Sequence, residues 1–206
     1  MKNKILLALL CVAIAACTQS PAPQAIAAPS PAAKPEIPFK LVAGITDIMR
    51  YEVDPSADAL WDSVGTYVDK KGTENRQPRT PEQWGLMRGH ALRLAEAANL
   101  LMMEGRQVAT AGHDVEDSGT PGNLTAAQAQ AAIDKERAVF VGFAQALGDV
   151  AAQMVKATED KNPAALLESG AALDEVCEGC HLKFWYPGQK IPSFPNEATE
   201  LGAKAR

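Results

Sequence analysis

The sequence predicts an all-α protein, an antiparallel four-helix bundle, on three observations. Apolar residues make up 47% of the 206 residues but aromatics only 5%, so alanine and leucine carry the apolar content, and these favour helices over strands. Apolar side chains recur at steps of three and four in four separate segments, with no alternating strand pattern between them. Three of those segments open on a cap signal, "TPEQ" at 80, "TAAQ" at 125 and "NPAA" at 162.

The chain begins with an address. "MKNK" supplies positive charge, "ILLALLCVAIAA" an apolar run too short to remain as a bilayer-spanning helix, and small residues follow. Residues 1–16 therefore read as a signal peptide. Its end, "IAAC", resembles the lipobox of bacterial lipoproteins, which implies that Cys17 takes the lipid and becomes the mature N-terminus. Ordinary cleavage at an "AIA" site, 13–15 or 25–27, is the rival. Either route exports the protein, so a periplasmic location is expected. Residues 17–38 are rich in proline, alanine and serine and cannot bury enough apolar surface to fold, which suits an extended tether between a membrane anchor and a domain.

The folded domain is expected at 39–187. Its first helix covers about 39 to 53, with Val42, Ile45 and Met49 on one face. Pro55 is expected to interrupt it before a short continuation, "SADALWDSVG". A polar loop, "DKKGTENRQPR", follows. The second helix has Thr80 as N-cap, Pro81 in the first turn and Gln83 closing a capping box. Trp84, Met87, Ala91, Leu94, Ala98 and Leu101 form its core row, and Gly105 ends it. After a long Gly-, Asp- and Thr-rich connection, the third helix is capped by Thr125 and Gln128. It runs unbroken to about 158, burying Ile133, Phe140, Ala144, Leu147, Ala151 and Met154. The fourth is capped by Asn162, with Pro163 first and Leu166, Ser169, Leu173, Val176 and Cys180 facing inward. Residues 188–206 show no pattern and read as an irregular tail.

Function is concentrated in "DEVCEGCHLKFWYP", 174 to 187. Cys11 leaves with the leader and Cys17 is taken by lipid, so Cys177 and Cys180 are the cysteines of the domain. At spacings of three and four, Cys177, Cys180 and His181 project from one face of the last helix. C-x-x-C-H is the attachment sequence of c-type haem: the thiols form thioethers with the vinyl groups and the imidazole meets the iron. Three other chemistries compete. A thioredoxin-like dithiol opens a helix in a βαβ setting, which is absent. Zinc needs a further ligand, from His90 or His113, both distant in sequence. A disulfide between cysteines three apart on a helix is strained.

A four-helix bundle carrying C-x-x-C-H near its C-terminus resembles the class II cytochromes c, the cytochrome c′ family, over about 39 to 186. The resemblance implies one covalent haem c between the helices, with His181 as the proximal iron ligand. In the low-spin branch, the cytochrome c-556 type, a methionine of the first helix fills the sixth position. Met49, in "ITDIMRYEV", stands roughly there. Methionine packing between helices is the alternative for it. The aromatic run Phe184, Trp185 and Tyr186 would shield the haem from water, or plug the bundle end, and Arg50 could neutralise a propionate. Family members are often dimers.

These features predict a one-electron carrier without catalytic residues, working with redox partner proteins and tethered to a membrane through Cys17. The formal net charge of −5, more negative once Lys2 and Lys4 of the leader are set aside, offers no basic stripe for nucleic acid. Two alternatives stay open. With Met49 off the iron, an apolar pocket over a five-coordinate haem would bind gases such as nitric oxide. The chain could also be the haem subunit of a larger membrane redox complex.

Overall fold

The computed structural model describes residues 39–189. The expected signal peptide, Cys17, the tether and all but the first two residues of the expected tail lie outside the described residues.

The protein is mostly helical. In chain order it has α1 (Ile45–Ile48), a π-helical turn (Met49–Val53), α2 (Asp54–Ser63), β1 (Gly65–Asp69), β2 (Gly72–Arg76), α3 (Pro81–Met102), α4 (Ala126–Lys135), α5 (Arg137–Glu159) and α6 (Pro163–Phe184). The caps form where the sequence puts them. Thr80 and Gln83, and Thr125 and Gln128, close reciprocal capping boxes, and the Asn162 side chain accepts from the amides of Ala164 and Ala165. Each cap satisfies amides that a helix start leaves unpaired.

Helix α3 packs chiefly on α5, α5 on α6, and α2 on α3 and α6. Every residue of the predicted core rows of α3 and α5 is buried, as are Ile133 on α4 and Leu166, Ser169 and Leu173 on α6, while Val176 and Cys180 are half-buried at the edge of the core. Small side chains let the helices approach: Ala91 and Ala151 are sealed completely, beside Leu94, Met154 and Leu173. By length and composition α5 is apolar enough to cross a membrane, and one stripe of it is packed on α3 and α6.

The sequence expectations fail in four places. Residues 39 to 44 are not helical, and Val42, placed on the buried face, is 81% exposed. Pro55 does not interrupt its helix. The turn before it widens instead, with the Asp54 amide donating to the Met49 carbonyl five residues back. A widened turn is a recognised way to keep a helix continuous where the regular hydrogen-bond ladder is broken. The polar loop is a hairpin, β1 and β2 pairing antiparallel from Gly65 opposite Arg76 to Asp69 opposite Gly72. It has no buried alternating face. A Lys71 amide to Asp69 carboxylate bond of 2.7 Å and the Arg76 guanidinium 3.9 Å from the Tyr67 ring support it instead.

The fourth failure is at Glu136, which breaks the expected third helix into α4 and α5 at φ −123°, ψ 41°. No glycine or proline stands there, so the cause is tertiary. Lys183 of α6 reaches the Glu136 carboxylate at 2.9 Å, and Arg137 donates to the Met102 carbonyl at the end of α3.

The long connection between α3 and α4 is pinned at both ends of the region that matters for function. Its carbonyls at Gln107 and Val108 accept the Ile45 and Thr46 amides, capping α1. Gly44 permits this approach, since a Cβ there would meet the Val108 oxygen at 3.0 Å. The buried Arg106 donates to the Ala43 and Leu100 carbonyls. Farther on, the Leu124 amide donates to the Trp185 carbonyl, and the Trp185 indole to the Glu116 carbonyl. One loop thus ties the start of α1 to the end of α6.

Leu94 is fully buried and Leu86, on the same helix, is 60% exposed. Leu94→Ala should therefore lower unfolding free energy by about 2–5 kcal/mol, and Leu86→Ala by roughly 0.5 kcal/mol or less. Denaturant midpoints of the two variants check this.

Candidate functional site

Two cavities lie side by side where the π turn faces the end of α6. The first is about 370 Å³ and the second about 220 Å³. Met49, Asp54, Phe140, Cys180 and His181 border both, and Cys177 borders the first. The predicted residues Cys177, Cys180, His181 and Met49 are therefore brought together, although Met49 is more than a hundred residues away in the chain.

Local structure explains the convergence. The π turn hydrogen-bonds with a five-residue step, so Met49 and Asp54 sit one above the other and share both cavities. Below them Ala57 and Trp61 continue the same wall, and the Trp61 indole donates to the Gly170 carbonyl of α6 at 2.9 Å. On α6, the three- and four-residue spacings turn both thiols and the imidazole to this side. Gly179, between the cysteines, lets the Phe143 ring pack close: a Cβ there would meet that ring at 3.1 Å, a tight contact that the ring would have to shift to relieve.

Burial sets the chemistry of these groups. Cys177 and Cys180 are free thiols. Desolvation, aided by the Asp174, Asp54 and Glu178 carboxylates, pushes Cys177 up to about 11. Desolvation, then the neighbouring Cys177, pushes Cys180 up to about 12. Both therefore stay protonated at neutral pH in the ligand-free protein, whereas the reactive thiol of a redox dithiol is held as a thiolate. Desolvation lowers His181, against a weaker opposing pull from Glu178, and so favours a neutral ring with a free lone pair.

The walls are largely apolar, with Val53, Leu101, Phe143, Leu147 and Val176 among those of the first cavity. Its carboxylates are Asp54, Asp58, Asp174 and Glu178, and among the described residues no Lys or Arg lines it. Burial, then Asp58 and Glu116, raises Asp54. Arg50 borders the second cavity, 3.9 Å from the Glu116 carboxylate, in an exposed and therefore weak pair. His113, weighed from the sequence as a distant zinc ligand, also borders that cavity and shares a 3.1 Å hydrogen bond with the Thr110 hydroxyl. His90 borders neither cavity, and its Nδ1 makes no hydrogen bond.

The donor set fits a planar, mostly apolar group bound through side chains better than a bare ion. Among the described residues no three His, Cys, Asp or Glu side chains converge as a metal-holding group. A tetrahedral zinc shell takes four such ligands. A haem takes one imidazole, with or without a thioether, and two thiols for its edge.

Sequence reasoning missed Asp54, Trp61, Phe143 and the loop residues 114–116. None carries a local signal, because each reaches the site through tertiary packing. Glu178 stood in plain sight inside the motif, and its partner Tyr186 eight residues on is the signal that could have marked it.

No family model, no curated protein and no solved structure matches the chain.

The thiols supply a pH test. They are neutral acids held above the value of an exposed thiol, so the folded chain keeps protons that the unfolded chain releases as pH rises past about 9. Their stabilising contribution is complete below pH 9 and is lost as pH climbs through about 11 to 12. The domain with both thiols free should accordingly alkylate slowly at pH 8 and at an ordinary thiol rate once unfolded, as timed mass spectrometry with iodoacetamide would read.

Proposed function

We propose that the chain is an exported c-type cytochrome that carries single electrons, an antiparallel bundle in which α2 with its π turn, α3, α5 and α6 are the four staves. One haem c would be held by thioethers to Cys177 and Cys180, with His181 as proximal ligand and Met49 as sixth ligand. The observation that carries this reading is the shared border: Met49, Cys180 and His181 line both cavities, and Cys177 lines the first with them. Core packing alone accounts for a half-buried methionine at the edge of the core. It does not account for two neutral thiols and a neutral imidazole opposite that methionine across open space.

When bound, haem supplies a one-electron iron couple. The chain's own residues set its conditions. His181 offers a desolvated imidazole nitrogen, and the Met49 thioether, a softer donor, favours the reduced iron and raises the potential. Phe140, Phe143, Leu101 and Leu147 exclude water, so that a change of charge at the site is poorly solvated. Arg50 is the guanidinium available to a propionate, since among the described residues no Lys or Arg lines the first cavity. A closed coordination shell needs no substrate pocket and no catalytic residue.

The expected leader and "IAAC" support a lipid anchor at Cys17, with residues 17–38 as tether, on the periplasmic side of a membrane. Redox proteins are the partners this implies, and a second copy of the chain is the oligomer that the family resemblance implies.

Absorption spectroscopy tests the assignment. The purified protein should show a low-spin ferric spectrum with the weak long-wavelength band of sulfur ligation, and its ferrous form should bind carbon monoxide slowly. Met49→Ala should become high-spin and bind carbon monoxide rapidly while circular dichroism stays helical. An unchanged low-spin spectrum in that variant removes Met49 from the iron. Rapid carbon monoxide binding by the unaltered protein replaces the carrier with the gas-binding alternative.

A further inference from the structure

Just past the end of α6 stand two aromatic rings whose contacts the proposed function does not use. Trp185 meets the His181 ring edge-on, centroids 4.9 Å apart at 90°, and Tyr186 lies against it at 5.7 Å and 60°. The two rings also touch each other, at 5.2 Å. Both residues donate their backbone amides to the His181 carbonyl, at 2.8 and 2.9 Å, closing the helix on the residue they pack against.

Neither ring is free to drift. The Tyr186 hydroxyl donates to the Glu178 carboxylate at 2.6 Å, and Glu178 is the residue after Cys177 inside the attachment motif. The Trp185 indole donates to the Glu116 carbonyl, and its carbonyl accepts the Leu124 amide. The imidazole is thus flanked by two rings, one tied back to its own motif and one to the connection that also caps α1.

The arrangement answers a mechanical problem. A histidine one turn from a helix end sits where helices fray, and its ring rotates about a soft torsion. Ligating histidines are ordinarily oriented by a hydrogen bond from the second ring nitrogen to a carboxylate or carbonyl. Among the described residues no such bond to the His181 ring is formed. Packed, anchored rings are what remains to set its plane.

We propose that Trp185 and Tyr186 are positioning residues that fix the plane of the His181 imidazole, with the Tyr186–Glu178 hydrogen bond as the latch. This rests on the reading of His181 as an iron ligand. Neither residue touches the iron in this account, and each acts through the histidine.

The test uses the full chain, haem-loaded, as parent, Tyr186→Phe, Trp185→Leu and Trp185→Phe. Tyr186→Phe keeps the ring and removes the latch. Amide exchange over residues 180–185 should accelerate about tenfold, the effect of losing about 1.4 kcal/mol from a charge-assisted hydrogen bond. Trp185→Leu should change the spread of the low-spin electron paramagnetic resonance g values, which reports axial-ligand orientation, and shift the midpoint potential. Trp185→Phe, which retains a ring, should recover most of both. Parent-like g values and potential in Trp185→Leu, or parent-like exchange in Tyr186→Phe, would overturn the proposal. A colourless parent would sink the haem reading instead, and exchange on that haem-free chain would still decide whether the latch holds the turn.

Discussion

Desolvation of the last turns of α6 is the constraint on which the rest of the structure depends. Two half-buried thiols and an imidazole are turned toward the edge of the core, where they are partly desolvated, and the fold must surround them without crushing them. Apolar side chains of α5 and the π turn do the surrounding. Gly179 leaves room for the Phe143 ring, and Gly170 leaves room for Trp61, whose indole fastens α2 to α6. The outcome is a pair of cavities beside reactive groups held in their neutral forms.

A local deformation and a long connection place the opposing side chain. Without the wide turn at 49–53, residues ahead of Pro55 would be rotated by about 100° relative to α2, the angle of one helical residue, and Met49 would leave the face that carries Ala57 and Trp61. The connection between α3 and α4 then clasps both walls, through backbone bonds to Ile45 and Thr46 on one side and to Trp185 on the other. Because its tie to the α1 amides is backbone to backbone, sequence patterns carry almost no trace of it.

What was legible in the chain follows from that distinction. The core rows of α3 and α5 could be read because a helix packed along its length writes its period into the sequence, and the three caps because their side chains serve amides a few residues away. The C-x-x-C-H turn was legible for the same local reason. Glu136 was not, because its break is stabilised by Lys183 from another helix and by the Arg137 bond to α3. The hairpin was missed because its strands bury nothing that would alternate, and Val42 because helical spacing does not say where a helix begins. Asp54 and Phe143 join the site only through packing. Met49 was found through a family resemblance, since its spacing alone favours core packing.

The central claim is that Cys177 and Cys180 are points of covalent attachment. The direct measurement is peptide mass mapping of the mature protein, expressed with a working haem-attachment machinery and treated with an alkylating agent after unfolding. The account predicts that the peptide spanning 177–183 carries one haem on both cysteines and takes up no alkyl group. Two alkylated cysteines on a peptide of unmodified mass would contradict it.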